Sequence, residues 1–126
     1  DELLRFDTPL QMFERWVLED CEVSGYTLKK GQKVGLLMGS ANHVEAAFKG
    51  DTEALDLTRD SRHHIAFGAW LHHCVGAPLA KLEIEVALRV LVSRAKSIRV
   101  VGKLPERKPS LIFRGLSALP LQMVSQ

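Results

Sequence analysis

The chain has 126 residues, enough for one modest domain, and its formal net charge is only +2. With charges spread along the chain, composition gives no reason to expect a nucleic-acid partner. No run approaches the ~18 apolar residues of a membrane span, and no charged-then-apolar leader opens the sequence. Two widely separated cysteines, Cys21 and Cys74, form no disulfide framework, which predicts a cytoplasmic protein without a membrane segment.

The first residues resemble the end of a helix rather than its beginning. Good helix formers occupy residues 1–6 from the first position of the sequence, which does not start with an initiator Met. Pro9 disfavours helical backbone in the residue before it, so the helix should end there. We therefore expect the chain to be a fragment whose first helix begins upstream.

Residues 11–64 predict strands followed by a long loop. Residues 11–22 alternate in a strand-like way, and turn residues within 21–38 predict a hairpin. The composition of residues 39–48 predicts a short helix with Ser40 as its N-cap. Residues 49–64 are polar and irregular, and loops of that length are typically functional or disordered.

A helix over Ala77–Arg94 is the clearest prediction. Pro78 suits its first turn, and Lys81, Glu85 and Arg89 form one solvated stripe. A helix that is apolar on most other sides is a buried helix, and this chain has little to cover it. Short strands are expected over 111–113 and 119–124. The apolar residues of the helix form two lines, Leu79, Leu82, Val86 and Val90, and Ile84, Ala87, Leu88 and Leu91.

Cys74 precedes this helix at a turn, behind His72 and His73 and before Gly76. A helix N-terminus presents free N–H groups and partial positive charge, which favour a thiolate. Gly68 suits a tight turn, and Gly76 lets backbone amides approach the sulfur. Three interpretations compete: a metal-binding thiolate, a catalytic nucleophile, and a small buried residue at a bend.

The sequence resembles the C-terminal part of bacterial cytochromes P-450. The ligand-loop motif is Phe67-Gly68, then His72 two residues before Cys74, then residues 76–80 and Glu83. Further motifs follow in the family's order over essentially the whole chain: Glu2 with Arg5, then Arg15, Leu57-Thr58-Arg59, His64, residues 114–116 and residues 119–121.

The resemblance implies an α+β fold within a single domain, residues 1–126, with no internal boundary. Its parts would be the end of helix K, a small antiparallel sheet, a meander, the cysteine-ligand loop, one long buried helix and terminal strands. The parent would be a monooxygenase that inserts one oxygen atom of O₂ into a small organic substrate. Its electrons would come from NAD(P)H through a ferredoxin-type donor. The fragment alone is expected to be inactive.

The resemblance also implies residue roles. Cys74 would be the axial thiolate of a haem iron, and Arg15 and His72 would hold the haem propionates. The remaining residues would serve as follows: Phe67, Gly68, Gly76 and Ala80 in the haem-binding loop; Glu2, Arg5 and Arg59 in a structural ion network; Leu10, Met12 and Phe13, together with the turn near 116–119, at the substrate pocket.

Trp70 departs from the family pattern, which has glycine there, and this predicts a strained turn. Two alternatives to a haem enzyme stay open: a haem-free remnant with a structural or interaction role, and a small zinc-binding module of His and Cys. The apolar helix predicts a partner for this chain, either the missing N-terminal part of its parent or a second copy of itself.

Overall fold

A computed structural model describes residues 1–103 and 105–125. The chain divides into two compact units, and each is described by itself. Unit 1 comprises Asp1–Ala66 and Ser110–Arg114. Unit 2 comprises Phe67–Pro109 and Gly115–Gln126, apart from the two residues outside the described ranges. The absence of an internal domain boundary stays a prediction.

Unit 1 begins with the predicted helical stub and a two-stranded sheet. Helix α1 spans Glu2–Phe6 and ends before Pro9. Strand β1 (Met12–Trp16) pairs antiparallel with β4 (Lys33–Leu37). Between them lies a separate hairpin of β2 (Cys21–Val23) and β3 (Tyr26–Leu28). Its two turn residues, Ser24 and Gly25, have φ of 50° and 82°, as a two-residue hairpin turn with matching twist requires.

The prediction of one strand over 11–22, followed by one hairpin over 21–38, is wrong in its pairing. Both Val17 N–H and Val17 C=O bond the turn at 31–32 (Val17 N to Gln32 O, 2.9 Å; Gly31 N to Val17 O, 2.8 Å), which closes the β1–β4 pair. The chain therefore leaves β1 after Trp16 and forms the inner hairpin independently.

The predicted helix over 39–48 is also shorter than expected. Helix α2 spans Met38–Ala41, with Leu37 at the N-cap and no side-chain capping bond. Ser40 lies inside the helix and caps nothing at its start. Asn42 ends the helix, and hydrogen-bonded turns continue to Phe48, whose amide bonds Val44 C=O at 3.2 Å.

The long loop over 49–64 lacks helix and strand, as predicted, and it packs against Phe48, which is 3% exposed. The Arg5 guanidinium lies 5.4 Å from the Phe48 ring centroid, and the His63 ring stacks on Phe48 at 4.6 Å. Residues 110–114 close the unit beside residues 9–11, where Gln11 N–H bonds Ile112 C=O at 2.7 Å. The strand predicted over 111–113 is only an isolated bridge between Leu10 and Phe113.

Unit 2 contains the predicted long helix and a strand pair. A short 3₁₀ helix (Trp70–His72) precedes α3 (Ala77–Arg94), whose bounds confirm the sequence prediction. Strand β5 (Ala95–Val100) follows α3 directly and pairs antiparallel with β6 (Leu121–Ser125). The strand β5 was not predicted, because no turn residue separates it from the helix.

The burial expected for α3 is not provided by this chain. Ala77 is the buried residue of the helix, whereas Leu79 is 60% exposed and Val92 is 71% exposed. The reason is physical: the described part of unit 2 offers one two-stranded ribbon to cover an 18-residue helix. In the described ranges, no helix is long and apolar enough to cross a bilayer.

We expect the isolated 126-residue chain to associate, because α3 exposes more contiguous apolar surface than monomers normally tolerate. Sedimentation should show oligomers that bind an apolar dye. Leu82→Glu combined with Val86→Glu should weaken both signals, whereas Lys81→Gln on the solvated stripe should change neither. A dye-free, cooperatively folded monomer would contradict the expectation.

Candidate functional site

The loop before α3 is shaped by a hydrogen bond across its base. Cys74 N–H donates to Phe67 C=O at 2.8 Å, which closes a turn around the 3₁₀ helix. His73 lies inside this loop, with its ring edge-on to Phe67 at 6.4 Å. After the turn, Ala77 N–H bonds Cys74 C=O at 3.1 Å and Ala80 N–H bonds Gly76 C=O at 2.9 Å. The backbone around Cys74 is therefore fixed on both sides.

The thiol of Cys74 is exposed in this chain. Of the three interpretations left open, a small residue buried at a bend does not describe it. A Cβ added to Gly76 would lie 3.7 Å from Cys74 Sγ, so glycine keeps the space beside the sulfur open. Across residues 1–103 and 105–125, no hydrogen bond engages the sulfur, which leaves it available as a ligand or nucleophile.

Two residues of the loop have left-handed backbone. Gly68 has φ of 73°, and a Cβ there would approach the His72 carbonyl oxygen to 3.1 Å. Both the left-handed backbone and the close contact favour glycine at this position. Trp70 has φ of 57°, a conformation that costs a bulky residue about 1–2 kcal/mol. Its side chain is 95% exposed and gains little packing in return. The strained turn predicted from the sequence is therefore present at Trp70.

The residues expected on β1 divide between its two faces. Phe13 and Arg15 share one face, and the Arg15 guanidinium lies 5.4 Å from the Phe13 ring centroid. Met12 lies on the opposite face, so Met12 and Phe13 do not line the same side of the strand. Leu10 precedes the strand and pairs with Phe113 through the backbone.

The structure brings Glu2, Arg5 and Arg59 together in the interior of unit 1. Arg5 is fully buried and forms a two-pronged pair with Glu2, with Nε to Oε2 at 2.7 Å and Nη2 to Oε1 at 2.8 Å. Arg59 Nε adds a contact to Glu2 Oε1 at 3.2 Å. Asp56 N–H and the Ser61 hydroxyl also donate to the Glu2 carboxylate. We call these three charged residues the ion cluster.

The ion cluster shifts proton affinities in the direction that its geometry requires. The hydrogen bonds from Arg5 hold the pKa of the Glu2 carboxyl far below its usual range, against the opposing effect of burial. The same pair raises the pKa of Arg5 above its ordinary value. Both groups are charged throughout the physiological range.

Four buried polar residues around the ion cluster were missed by sequence reasoning: Thr8, Asn42, Thr52 and Ser61. A single Ser, Thr or Asn in a polar stretch gives no sequence signal for burial. His64 was predicted only as a motif position, and the structure shows that its side chain is 3% exposed. His64 Nδ1 accepts the Ala66 N–H at 3.1 Å, and Nε2 lies 3.4 Å from Asp1 Oδ1.

Comparison with known proteins identifies the family. The sequence profile described as Cytochrome P-450 matches residues 1–96. The chain is 37% identical to cytochrome P-450 CYP199A2 of Rhodopseudomonas palustris over 98% of its length. It is 35% identical to the biotin biosynthesis cytochrome P-450 of Bacillus subtilis over 96% of its length. The chain belongs to the cytochrome P-450 family.

Solved structures agree with this assignment. The cytochrome P-450 CYP109Q5 from Chondromyces apiculatus superposes with a TM-score of 0.92 at 37% identity, covering 99% of this chain and 32% of that one. P450BioI, solved in complex with an acyl carrier protein ligated to hexadec-9Z-enoic acid, gives 0.92 at 34% identity, covering 98% and 32%. The chain spans about three tenths of the curated relatives named above, 29% and 30% of their lengths. Its architecture is that of the C-terminal part of the family's fold.

The residues present fit the haem that the family implies. An exposed thiol on a fixed, glycine-flanked loop is suited to ligate an iron from one side. By contrast, the described ranges place no group of three or more His, Cys, Asp or Glu side chains to hold a metal ion.

Replacing Glu2 tests the ion cluster. Glu2→Gln should lower the free energy of unfolding by about 3–5 kcal/mol, because it leaves buried guanidinium charge uncompensated. Since folding depresses the pKa of Glu2, its contribution should be complete above its ordinary pKa of 4.5 and should fall as pH drops below it. Urea unfolding across pH measures both effects. Glu45→Gln, at an exposed carboxyl, is the control and should change stability by less than about 0.5 kcal/mol. Equal effects in the two variants would contradict the role of the ion cluster.

Glycine substitution tests the strain at Trp70. Trp70→Gly should stabilise the protein by up to about 1 kcal/mol, because relief of left-handed strain exceeds the added freedom of the unfolded chain. Leu71→Gly is the control: Leu71 is 98% exposed and its φ is not positive, so a loss of about 0.4–1 kcal/mol is expected. Thermal unfolding should separate the two variants. The same loss in both would show that Trp70 is unstrained.

Proposed function

We propose that this chain carries the haem-ligand loop of a monooxygenase, with Cys74 as the residue that would hold the haem iron. The observation that carries the proposal is the exposed Cys74 thiol on a loop that is fixed at Phe67 and continues into α3. Haem, when bound, supplies the iron at which O₂ is activated. The Cys74 thiolate would hold that iron and donate electron density to it, a role for which cytochromes P-450 are the standard example.

The chain's other residues would hold and orient the haem. Arg15 and His72 carry donors suited to propionate carboxylates, and charge-assisted bonds of that kind are shorter and stronger than neutral ones. Gly76 lies beside the sulfur, and Gly68 lets the loop turn close to the His72 carbonyl. Phe13, whose ring lies 5.4 Å from the Arg15 guanidinium, would contribute to the substrate pocket that the family resemblance implies.

The whole protein would insert one oxygen atom of O₂ into a small organic substrate and release the other as water. The electrons for that reduction would come from NAD(P)H through a ferredoxin-type donor, and the protein would be cytoplasmic. The bound partner of P450BioI is an acyl carrier protein, which supports a second kind of partner, a protein that presents the substrate. The exposed lines of α3 would be covered by the rest of the parent chain or by a second copy.

Exchange of each cysteine tests the proposal. In the haem-loaded protein, Cys74→Ser should abolish the red-shifted absorption band of the reduced CO complex, because a thiolate ligand is needed for it. Cys21→Ser removes the other exposed cysteine and should leave the band unchanged. A band that survives Cys74→Ser would rule out this ligand. A folded protein that takes up no haem would instead support the haem-free alternative.

A further inference from the structure

Asn42 is fully buried and joins three separate segments of unit 1. Its side-chain Nδ2 donates to Thr8 Oγ1 at 2.8 Å, and its Oδ1 accepts the backbone N–H of Ile65 at 2.9 Å. Its own carbonyl accepts Arg5 Nη1 at 2.9 Å. One side chain therefore links the end of α1, the end of α2 and the segment that precedes the cysteine loop.

The directions of these bonds require an amide at this position. A backbone N–H can only donate, so the Ile65 contact fixes Oδ1 of Asn42 and leaves Nδ2 facing Thr8. The Thr8 hydroxyl then accepts from Asn42 and gives its own proton to a carbonyl of α1, Leu4 or Arg5, each 3.0 Å away. Among side chains of this size, asparagine alone supplies a donor and an acceptor on a rigid fork.

The segment anchored by Asn42 runs directly into the cysteine loop. The Ile65 amide is held by Asn42, and the next amide, Ala66 N–H, is held by His64 Nδ1. Phe67 follows, and its carbonyl accepts the N–H of Cys74 at 2.8 Å. Two consecutive amides are thus fixed immediately before the residue that closes the turn around the thiol.

We propose that Asn42 is a positioning residue for the Cys74 thiolate. It acts through Ile65, by fixing the backbone from which the loop starts, and it also ties that backbone to Arg5 of the ion cluster. This inference rests on the proposed function, because it concerns the retention of a thiolate ligand by haem.

The experiment compares three variants in the full-length, haem-loaded protein. Asn42→Leu keeps the approximate volume and removes both side-chain bonds. Asn42→Asp keeps an oxygen that can accept the Ile65 N–H. Thr52→Val is the matched control. Thr52 is 4% exposed and lies beside the ion cluster, but its hydroxyl donates to His43 C=O, away from the cysteine loop. The readout is the ratio of thiolate-type to non-thiolate absorption of the reduced CO complex, read equally far below each variant's thermal midpoint.

Asn42→Leu should shift that ratio by about five-fold toward the non-thiolate form, because of its two lost bonds only the one to Ile65 N–H holds the segment before the loop. Thr52→Val should leave the ratio unchanged, and Asn42→Asp should restore most of it. If Asn42→Leu does not fold, Asn42→Ser takes its place, since its shorter side chain cannot reach Ile65 and Thr8 together.

Two results would overturn the inference alone: an equal shift in Asn42→Leu and Thr52→Val, or a loss in Asn42→Asp as large as in Asn42→Leu. Absence of the thiolate band from the unsubstituted protein would overturn the proposed function itself, and this inference with it.

Discussion

The pairing of Glu2 with Arg5 is the interaction on which unit 1 depends. The loop between α2 and the cysteine loop has no helix or strand, so its backbone carbonyls need donors from elsewhere. Arg5 supplies them to Asn42 and Thr52, and Arg59 supplies them to Asp51 and Ala54. Burying two guanidinium groups is tolerable only because the Glu2 carboxylate lies between them. The arginines of the ion cluster therefore supply the hydrogen bonds that a helix or strand would otherwise provide to this loop.

In unit 2, the conformation of the cysteine loop is held by backbone geometry and not by charged side chains. Left-handed residues at Gly68 and Trp70 turn the chain, and the bond from Cys74 N–H to Phe67 C=O closes the turn. The thiol is left exposed at the start of a long helix whose apolar sides are also exposed. Strain at Trp70 and uncovered apolar surface are both destabilising, and a bound haem or packed partner would offset them.

The sequence predicted what rests on local patterns and missed what rests on tertiary pairing. The bounds of α3 and the positive φ near Trp70 follow from periodicity and from a glycine replaced in a motif. The pairing of β1 with β4 around an inner hairpin could not be read from alternation, since both arrangements use the same residues. The burial of Asn42 was not predicted, because its side chain bonds Thr8 and Ile65, which are distant in sequence.

X-ray absorption at the iron edge of the haem-loaded protein tests the central claim most directly. The account predicts one sulfur scatterer in the first coordination shell, present in the unsubstituted protein and in Cys21→Ser and absent from Cys74→Ser. A first shell made only of nitrogen or oxygen in the unsubstituted protein would contradict it, as would a sulfur scatterer that persists without Cys74.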